Sequence, residues 1–175
     1  TADSTIALAK AGIPYVTGID ISEGMLKVGE EKVKNLNLSS AINFKVEECE
    51  NLSFDDNTFD AAFIAFGIRN FEDKKKGLKE LHRVLKPNGL LLILELSVPQ
   101  NKILLSLYKL YFLHILPFIG KKISGDNKAY TYLPQSVMNF PKPKDFLQTM
   151  EECGFNDVRQ KALTFGLCRI YEGKC

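Results

Sequence analysis

The chain has 175 residues, of which 45% are hydrophobic and 25% charged, so it can form one folded domain and is not disordered. A net charge of +2 is too small to indicate a nucleic-acid partner. The four cysteines are scattered, with no C-x-x-C pair. This spacing predicts free thiols in a protein of the reducing cytoplasm and no metal site. No secretory signal opens the sequence, and no apolar run reaches the ~18 residues of a spanning helix.

Helical and strand patterns alternate along the chain. In chain order they predict helix 3–11, strand 15–19, helix 22–35, strands 42–46 and 59–66, helix 74–85, strand 90–96, helix 142–153, and strands 158–163 and 167–171. This alternation is typical of an α/β fold with a mostly parallel, twisted sheet.

Three local signals refine the fold. The apolar strand 15–19 has the pattern of a strand buried on both faces. Helix 74–85 should end at Lys86-Pro87-Asn88-Gly89, because proline cannot continue a helix and glycine accepts a positive φ. The last two strands are joined only by residues 164–166, too few for a helical crossover, so one of them should run antiparallel.

The beginning of the chain resembles a loop that enters a helix, and nothing strand-like precedes it. We therefore expect a single domain, residues 1–175, that is truncated at its N-terminus and lacks the first strand of its sheet.

Asp20 follows the strand 15–19, where open α/β sheets bind ligands beyond the carboxyl ends of their strands. An acid in this position can accept hydrogen bonds from both hydroxyls of a ribose. Alternatively, Asp20 caps the next helix, with Glu23 completing a capping box. Near the start, the helix beginning at Asp3 is either capped by Thr1, Asp3 or Ser4 or follows a cofactor-binding loop. The position of Asp20 alone does not decide between NAD and S-adenosylmethionine.

Several sequence motifs, taken together, are more specific. They are residues 18–26 (GIDISEGML), 54–60 (FDDNTFD), 66–70 (FGIRN), 84–89 (VLKPNG), 114–117 (HILP), Gly120, 130–133 (YTYL) and Ser136. In these motifs the chain closely resembles the ubiquinone/menaquinone biosynthesis C-methyltransferase family, from Thr1 to near the C-terminus.

The resemblance implies a Rossmann-like class I methyltransferase fold and S-adenosylmethionine as the cofactor. Thr1-Ala2-Asp3 stands where the family has a Gly-Thr-Gly-Asp loop, so Ala2 replaces the second glycine. Asp20 matches the ribose-binding acid, and Ile21 follows it. The remaining cofactor-side positions implied by the resemblance are Thr1, Asp3, Glu48, Cys49 and Ala65.

The resemblance also implies the reaction, which is methylation of a ring carbon of a prenylated quinol such as demethylmenaquinol or its ubiquinone-pathway counterpart. Arg69 and Asn70 match the substrate-side pair of the family. A guanidinium can stabilise the phenolate that makes the ring carbon nucleophilic. The alternative for Arg69 is an exposed salt bridge to Glu72 or Asp73.

Tyr130 and His114 are the other candidate catalytic residues. Tyr130, like Tyr132, has a hydroxyl that can hydrogen-bond a quinol oxygen, although packing remains an alternative for both tyrosines. A lone histidine on an apolar flank is more often structural, and this alternative remains open for His114.

Residues 101–140 are expected to form a substrate-side insertion or lid. The segment from Asn101 to Ala129 contains five lysines and one aspartate, so it carries a net charge of +4 and the rest of the chain −2. Within it, residues 103–119 are almost wholly apolar apart from a polar stripe. Two interpretations remain open, a core helix and a groove for an isoprenoid tail that also touches anionic lipid at the inner face of the membrane.

Two other functions remain as alternatives. One is a small-molecule O- or N-methyltransferase, which should lack the 66–70 and 130–133 motifs. The other is a noncatalytic partner protein with the same cofactor fold. The expected protein partners are a second copy of the chain, as a homodimer, or a quinone-synthesis complex, which is also where the noncatalytic alternative would serve.

Overall fold

The computed structural model describes residues 2–110 and 127–175. The chain divides into two compact units, Thr1–Phe54 and Asp55–Cys175. The strands form two hydrogen-bonded sheets, one in each unit. The single-domain assignment stays a prediction.

The first unit is a parallel strand pair with two helices. In chain order it contains α1 (Asp3–Lys10), β1 (Val16–Asp20), α2 (Glu23–Asn35) and β2 (Ile42–Val46). Its small core is built by Ile6, Val33 and Ile42. Glycine fits at Gly18 because a Cβ there would lie 2.6 Å from the Phe44 ring of β2 and would displace that ring.

The second unit is a four-stranded sheet with helices. In chain order it contains β3 (Phe59–Ala65), a 3-10 turn (Ile68–Asn70), α3 (Lys74–Val84), β4 (Leu85–Leu96), α4 (Lys102–Leu110), α5 (Asn127–Asn139), α6 (Pro143–Glu152), β5 (Asn156–Leu163), a second 3-10 turn (Thr164–Gly166) and β6 (Cys168–Lys174).

The strand order of the second sheet is β3-β4-β6-β5. β3 is parallel to β4, whereas β6 runs antiparallel to both β4 and β5. The prediction of one antiparallel strand is therefore confirmed. The core of the second unit is filled by five almost completely buried residues, Leu78, Leu91, Ile93, Phe146 and Tyr171.

The predicted strand 15–19 is wrong in two respects. The strand begins at Val16, and the side chain of Tyr15 is 84% exposed. Its residues are half-buried rather than buried on both faces, since among the described residues β1 pairs only with β2. By contrast, the predicted strand 42–46 coincides with β2.

The end of helix 74–85 also differs from the prediction. The helix stops at Val84, and the backbone enters β4 at Leu85 instead of at residue 90. The expected breakers lie in an irregularity of this strand, where the pairing with β3 shifts between Phe59 and Ala61. Asn88 adopts the positive φ of 64° that was expected of Gly89. Glycine is needed next to it because a Cβ would lie 2.7 Å from the Lys86 carbonyl oxygen.

The described part of the lysine-rich segment contains α4, whose first turn is capped by the Asn101 side chain. Leu105 and Tyr108 turn towards the protein, whereas Ile103 and Leu107 are 74% and 58% exposed. Within the described residues, no helix combines the length and apolarity needed to cross a bilayer. Residues 111–126 lie outside the description.

Candidate active site

The first unit brings Asp20 to the beginning of the loop that follows β2. Asp20 ends β1, and its carbonyl oxygen accepts a hydrogen bond of 3.2 Å from the Glu47 backbone N–H. Glu48 and Cys49 follow directly, with Glu48 exposed and Cys49 half-buried. The predicted cofactor residues of β1 and of this loop thus share the carboxyl edge of one parallel strand pair.

The Asp20 carboxylate organises the turn into α2 without capping the helix. Its Oδ1 accepts from the Ser22 backbone N–H at 2.9 Å, while the Ser22 hydroxyl accepts from the Met25 N–H as the actual N-cap. The capping-box alternative for Asp20 and Glu23 is therefore wrong. A carboxylate offers about four acceptor positions, so this turn leaves most of them for a ligand.

The sequence analysis missed Glu47, which lies beside this edge. Its buried carboxylate forms an ion pair with Lys45 at 2.7 Å and accepts from the backbone N–H of Ser53 at 3.0 Å and from the Ser53 hydroxyl. The hydrogen bonds from Lys45 and Ser53 lower the pKa of Glu47 from 4.5 to about 2. A second acid just before Glu48 was the available signal.

Two predicted cofactor contacts, Thr1 and Asp3, lie in the sequence at or just before the start of α1. Thr1 lies outside the described residues. The residue before the helix is Ala2, with a φ of 62°, and its side chain makes no capping hydrogen bond. Because Ala2 occupies the N-cap position, neither Asp3 nor Ser4 is the N-cap residue, and capping by Thr1 stays a prediction. Asp3 is exposed and pairs with Lys32 at 3.0 Å.

In the second unit, Arg69 and Asn70 lie in the 3-10 turn that follows β3. Arg69 does form an ion pair, but its partner is the fully buried Glu95 of β4, at 2.8 Å, and only 12% of the arginine side chain is exposed. Asp73, which was an expected partner, caps α3 through the Lys76 N–H. The exposed salt bridge considered from the sequence is therefore wrong in both exposure and partner.

One guanidinium nitrogen of Arg69 is unsatisfied. Nε is buried and, among the described residues, has no hydrogen-bond partner. Leaving a buried donor unpaired costs about 1–3 kcal/mol, and such exceptions in folded proteins call for a specific explanation.

Asn70 is brought together with a tyrosine of α5. The Tyr132 hydroxyl donates to Asn70 Oδ1 at 2.8 Å, and both residues are exposed. The side chain of Tyr130 and the whole of His114 lie outside the description. Ala65, the last residue of β3, is half-buried and pairs with Leu94.

A buried polar cluster behind Arg69 was also missed. It consists of Glu95 and Ser97 after the apolar part of β4, and of Arg169 on β6. Arg169 donates through Nε to the Ser97 hydroxyl at 3.1 Å and through Nη1 to Gln160 of β5. The signal in the sequence was a single acid inside the run of leucines at 90–96.

The described residues contain no group of acids, histidines and cysteines that could hold a metal ion. The four cysteines are free thiols, as predicted: Cys49, Cys153, Cys168 and Cys175. Burial raises the pKa of the last three.

Known proteins match the chain along almost its whole length. Residues 1–174 match the ubiE/COQ5 methyltransferase family. A demethylmenaquinone methyltransferase from Bacteroides fragilis is 49% identical over 154 residues, which are 88% of this chain and 63% of that protein. A ubiquinone/menaquinone biosynthesis C-methyltransferase UbiE from Geobacter sulfurreducens is 42% identical over 99% of this chain. The chain spans 63% and 68% of the length of these two relatives.

Solved structures with low sequence identity share the fold. A SAM-dependent methyltransferase from Aquifex aeolicus matches 91% of this chain and 68% of its own, with a TM-score of 0.62 at 21% identity. The cyclase SpnF matches 99% of this chain and 71% of its own, with a TM-score of 0.74 at 16% identity. The expected Rossmann-like class I methyltransferase fold is confirmed. Because a cyclase shares it, the fold alone does not identify the reaction.

Proposed function

The chain belongs to the ubiE/COQ5 methyltransferase family, and from this membership we propose that the whole protein transfers a methyl group from S-adenosylmethionine to a ring carbon of a prenylated quinol. The observation that carries the proposal is the family match over residues 1–174, supported by the two methyltransferases named above, which are 42% and 49% identical to this chain.

The cofactor proposal rests on the carboxyl edge of β1 and β2. Asp20 has acceptor positions for the two ribose hydroxyls, and the neighbouring Ile21 is exposed, so its apolar side chain can contact a flat base. The residues present therefore fit a nucleoside-type cofactor, with Glu48 and Cys49 in the adjacent loop. When bound, S-adenosylmethionine supplies a methyl group already activated by its sulfonium.

The substrate proposal rests on the turn that contains Arg69 and Asn70. A quinol ring carbon becomes nucleophilic when the adjacent hydroxyl loses its proton, and a fixed guanidinium stabilises the negative charge that develops on that oxygen. Asn70 and Tyr132 add neutral hydrogen-bonding groups next to the same turn. The ring carbon would exchange its proton for the methyl group that the cofactor would supply, and Arg69 would stabilise the negative charge on the adjacent oxygen until that proton has left to solvent.

The decisive experiment is quinone analysis in cells. Deletion of the gene should lead to accumulation of the demethyl precursor, detected by mass spectrometry, and the gene restored on a plasmid should remove it. The alternative small-molecule methyltransferase would be favoured if the deletion left the quinone profile unchanged and the deleted cells lacked an O- or N-methylated product that cells with the gene contain. Rescue by a variant that cannot bind the cofactor would favour the noncatalytic partner protein.

Two substitutions in the full-length enzyme separate the cofactor and substrate roles. Asp20→Ala removes charge-assisted bonds of about 1–3 kcal/mol, so calorimetry should show a loss of cofactor affinity of about 5- to 150-fold, and Asp20→Asn a smaller loss. Arg69→Ala should lower kcat on a quinol while leaving cofactor affinity within about threefold. If Asp20→Ala changes thermal stability but not affinity, Asp20 only shapes its turn.

We further propose that α4 contacts the membrane that holds the substrate. Ile103, Leu107 and Leu110 are exposed along one side of the helix, in the segment that carries five lysines against one aspartate. An exposed apolar face bordered by positive charge is typical of helices that lie at an anionic bilayer surface. A homodimer or a quinone-synthesis complex also remains a proposal.

A further inference from the structure

Glu95 contacts Arg69 at both its backbone and its side chain. Oε2 accepts from the Arg69 backbone N–H at 3.2 Å, and Oε1 accepts from the Arg69 Nη1 at 2.8 Å. The Leu96 N–H adds a third hydrogen bond to Oε1, also at 2.8 Å, and this fixes the carboxylate relative to its own strand. The arginine is therefore held at two points by one rigid, fully buried group.

A second cation faces Glu95 from the neighbouring strand. Arg169 is the register partner of Glu95 in the β4–β6 pair, and both side chains are buried. Directly opposed residues on one face of an antiparallel pair lie within side-chain reach of each other. Among the described residues, Arg169 donates its hydrogen bonds to Ser97 and Gln160. The Glu95 oxygens therefore remain available as acceptors for Arg69.

Fold stability alone is a weak explanation for this arrangement. Buried ion pairs are often no more stabilising than well-packed apolar residues of similar size, because both charges must be removed from water. The other residues of β4 from Leu90 to Leu96 are all leucine or isoleucine, so an apolar residue at position 95 would continue their pattern. The two-point contact with Arg69 is the feature that an apolar residue could not reproduce.

We propose that Glu95 is a positioning residue of the methyl transfer, which holds the Arg69 guanidinium in the orientation required by the quinol oxygen. This deepens the proposed function and rests on it. Fixing a charged group before the reaction avoids its reorganisation in the transition state. Arg69 is the group that acts on the substrate, and Glu95 acts through Arg69.

The test is a double-mutant cycle in the full-length enzyme with a short-chain demethylmenaquinol. Glu95→Gln keeps the volume but replaces one acceptor by a donor, and it should lower kcat about 100-fold while the cofactor affinity stays within about threefold. Glu95→Asp keeps the charge and should recover part of kcat. The double variant Glu95→Gln/Arg69→Ala should be no slower than Arg69→Ala alone, since the two residues act as a unit.

A matched control is Glu172→Gln, which breaks an ion pair with Arg159 between β5 and β6 and should leave kcat within about twofold. The positioning role would be overturned if the fold loss of kcat in the double variant equalled the product of the losses in the two single variants. It would also be overturned if both Glu95 variants lost kcat and cofactor affinity equally.

A second measurement does not depend on the substrate. Phenylglyoxal modifies accessible arginines, and peptide mass spectrometry should show faster labelling of Arg69 in Glu95→Gln and Glu95→Asp than in the wild type. Unchanged labelling of Arg69 overturns the proposal. If the wild-type enzyme methylates no quinol but Arg69 labelling still depends on Glu95, the proposed function fails while the contact that holds Arg69 is upheld.

Discussion

Ala2 has a left-handed backbone conformation, with a φ of 62°, directly before α1. A residue with a Cβ is strained there by about 1–2 kcal/mol, whereas glycine is not, although glycine loses more entropy on folding. We expect Ala2→Gly to raise the free energy of unfolding of the full-length protein by about 0.5–1 kcal/mol, measured by urea denaturation.

The matched control for this prediction is Ala7→Gly, the same substitution at an exposed position inside α1. It should destabilise the protein by about 1 kcal/mol, because glycine is unfavourable in a helix interior. If Ala2→Gly and Ala7→Gly lowered the free energy of unfolding by similar amounts, backbone strain at Ala2 would not contribute significantly to stability.

Glu47 should make stability depend on pH. Its pKa is lowered from 4.5 to about 2 by Lys45 and Ser53, so the folded state favours the charged form. The resulting stabilisation is fully present above the unfolded value of 4.5 and is lost as the pH falls towards about 2.

Thermal unfolding at a series of pH values can test this dependence. Glu47→Gln should lower the melting temperature near pH 7, and the difference from the wild type should shrink steadily as the pH falls from 4.5 towards about 2. The exposed Glu31→Gln on α2 is the control and should show little difference at any pH. A constant gap between wild type and Glu47→Gln would assign the effect to packing.

At the residue scale, the sequence indicated where single candidate site residues lie better than it indicated which residues they contact. Asp20 could be placed at a strand end because the apolar run before it marks the strand. The Arg69–Glu95 pair joins residues 26 positions apart, so it depends on the register of β3 against β4, which no local pattern determines. Arg169 depends in addition on the antiparallel register of β6.

At the element scale, α5 is attached to the turn after β3 by the Tyr132–Asn70 hydrogen bond of 2.8 Å. Tyr132→Phe removes the donor, and at this exposed position we expect a loss at the low end of about 0.5–1.5 kcal/mol. Because the bond links two elements, its loss should increase local opening of α5, seen as faster amide hydrogen exchange.

The control for α5 is Ser136→Ala, since the one partner that the Ser136 hydroxyl has among the described residues is the Leu133 carbonyl of the same helix. This substitution should leave the exchange of α5 amides close to that of the wild type. Equal acceleration in both variants would mean that exchange in α5 reports local helix stability rather than attachment to the turn.

The elements themselves were predictable where periodicity alone sets them. The predicted bounds of β2 were correct at both ends. The helix predicted over 142–153 is one residue shorter at each end, but its stop before Gly154 was placed correctly because the φ of 103° at Gly154 favours glycine. The start of β4 was missed because Pro87, Asn88 and Gly89 resemble a loop. Pairing of Leu85 with Phe59 nevertheless keeps them within the strand, so tertiary contacts override the local breakers.

At the scale of the whole molecule, the class of fold followed from the alternation of helices and strands, but the reaction did not. Structural similarity extends to the cyclase SpnF at 16% identity, so the fold alone does not identify the reaction. The motif at residues 66–70 carried the quinol assignment in the sequence, and in the structure its arginine and asparagine each make a specific contact with another element.

Membrane binding is a property of the whole molecule that its charge distribution makes testable. The segment 101–129 carries +4 and the rest of the chain −2, so the full-length protein should co-sediment with phosphatidylglycerol vesicles at low salt and dissociate as salt is raised. Changing Lys109, Lys121 and Lys122 to Glu should weaken binding, because each lysine near the surface contributes up to about 1 kcal/mol. Changing Lys10, Lys27 and Lys34 to Glu alters the net charge equally and should have little effect.

The apolar contribution of α4 can be separated from its charge. Ile103→Ser/Leu107→Ser leaves every lysine in place but removes the two most exposed apolar side chains of the helix. If the helix enters the headgroup region, this variant should bind the same vesicles more weakly even at low salt, since burial of apolar area adds to the electrostatic attraction. Weakening by the lysine substitutions alone would mean that the segment stays on the surface without insertion. Binding indifferent to both sets would exclude α4 as the membrane contact and assign its exposed face to the protein itself.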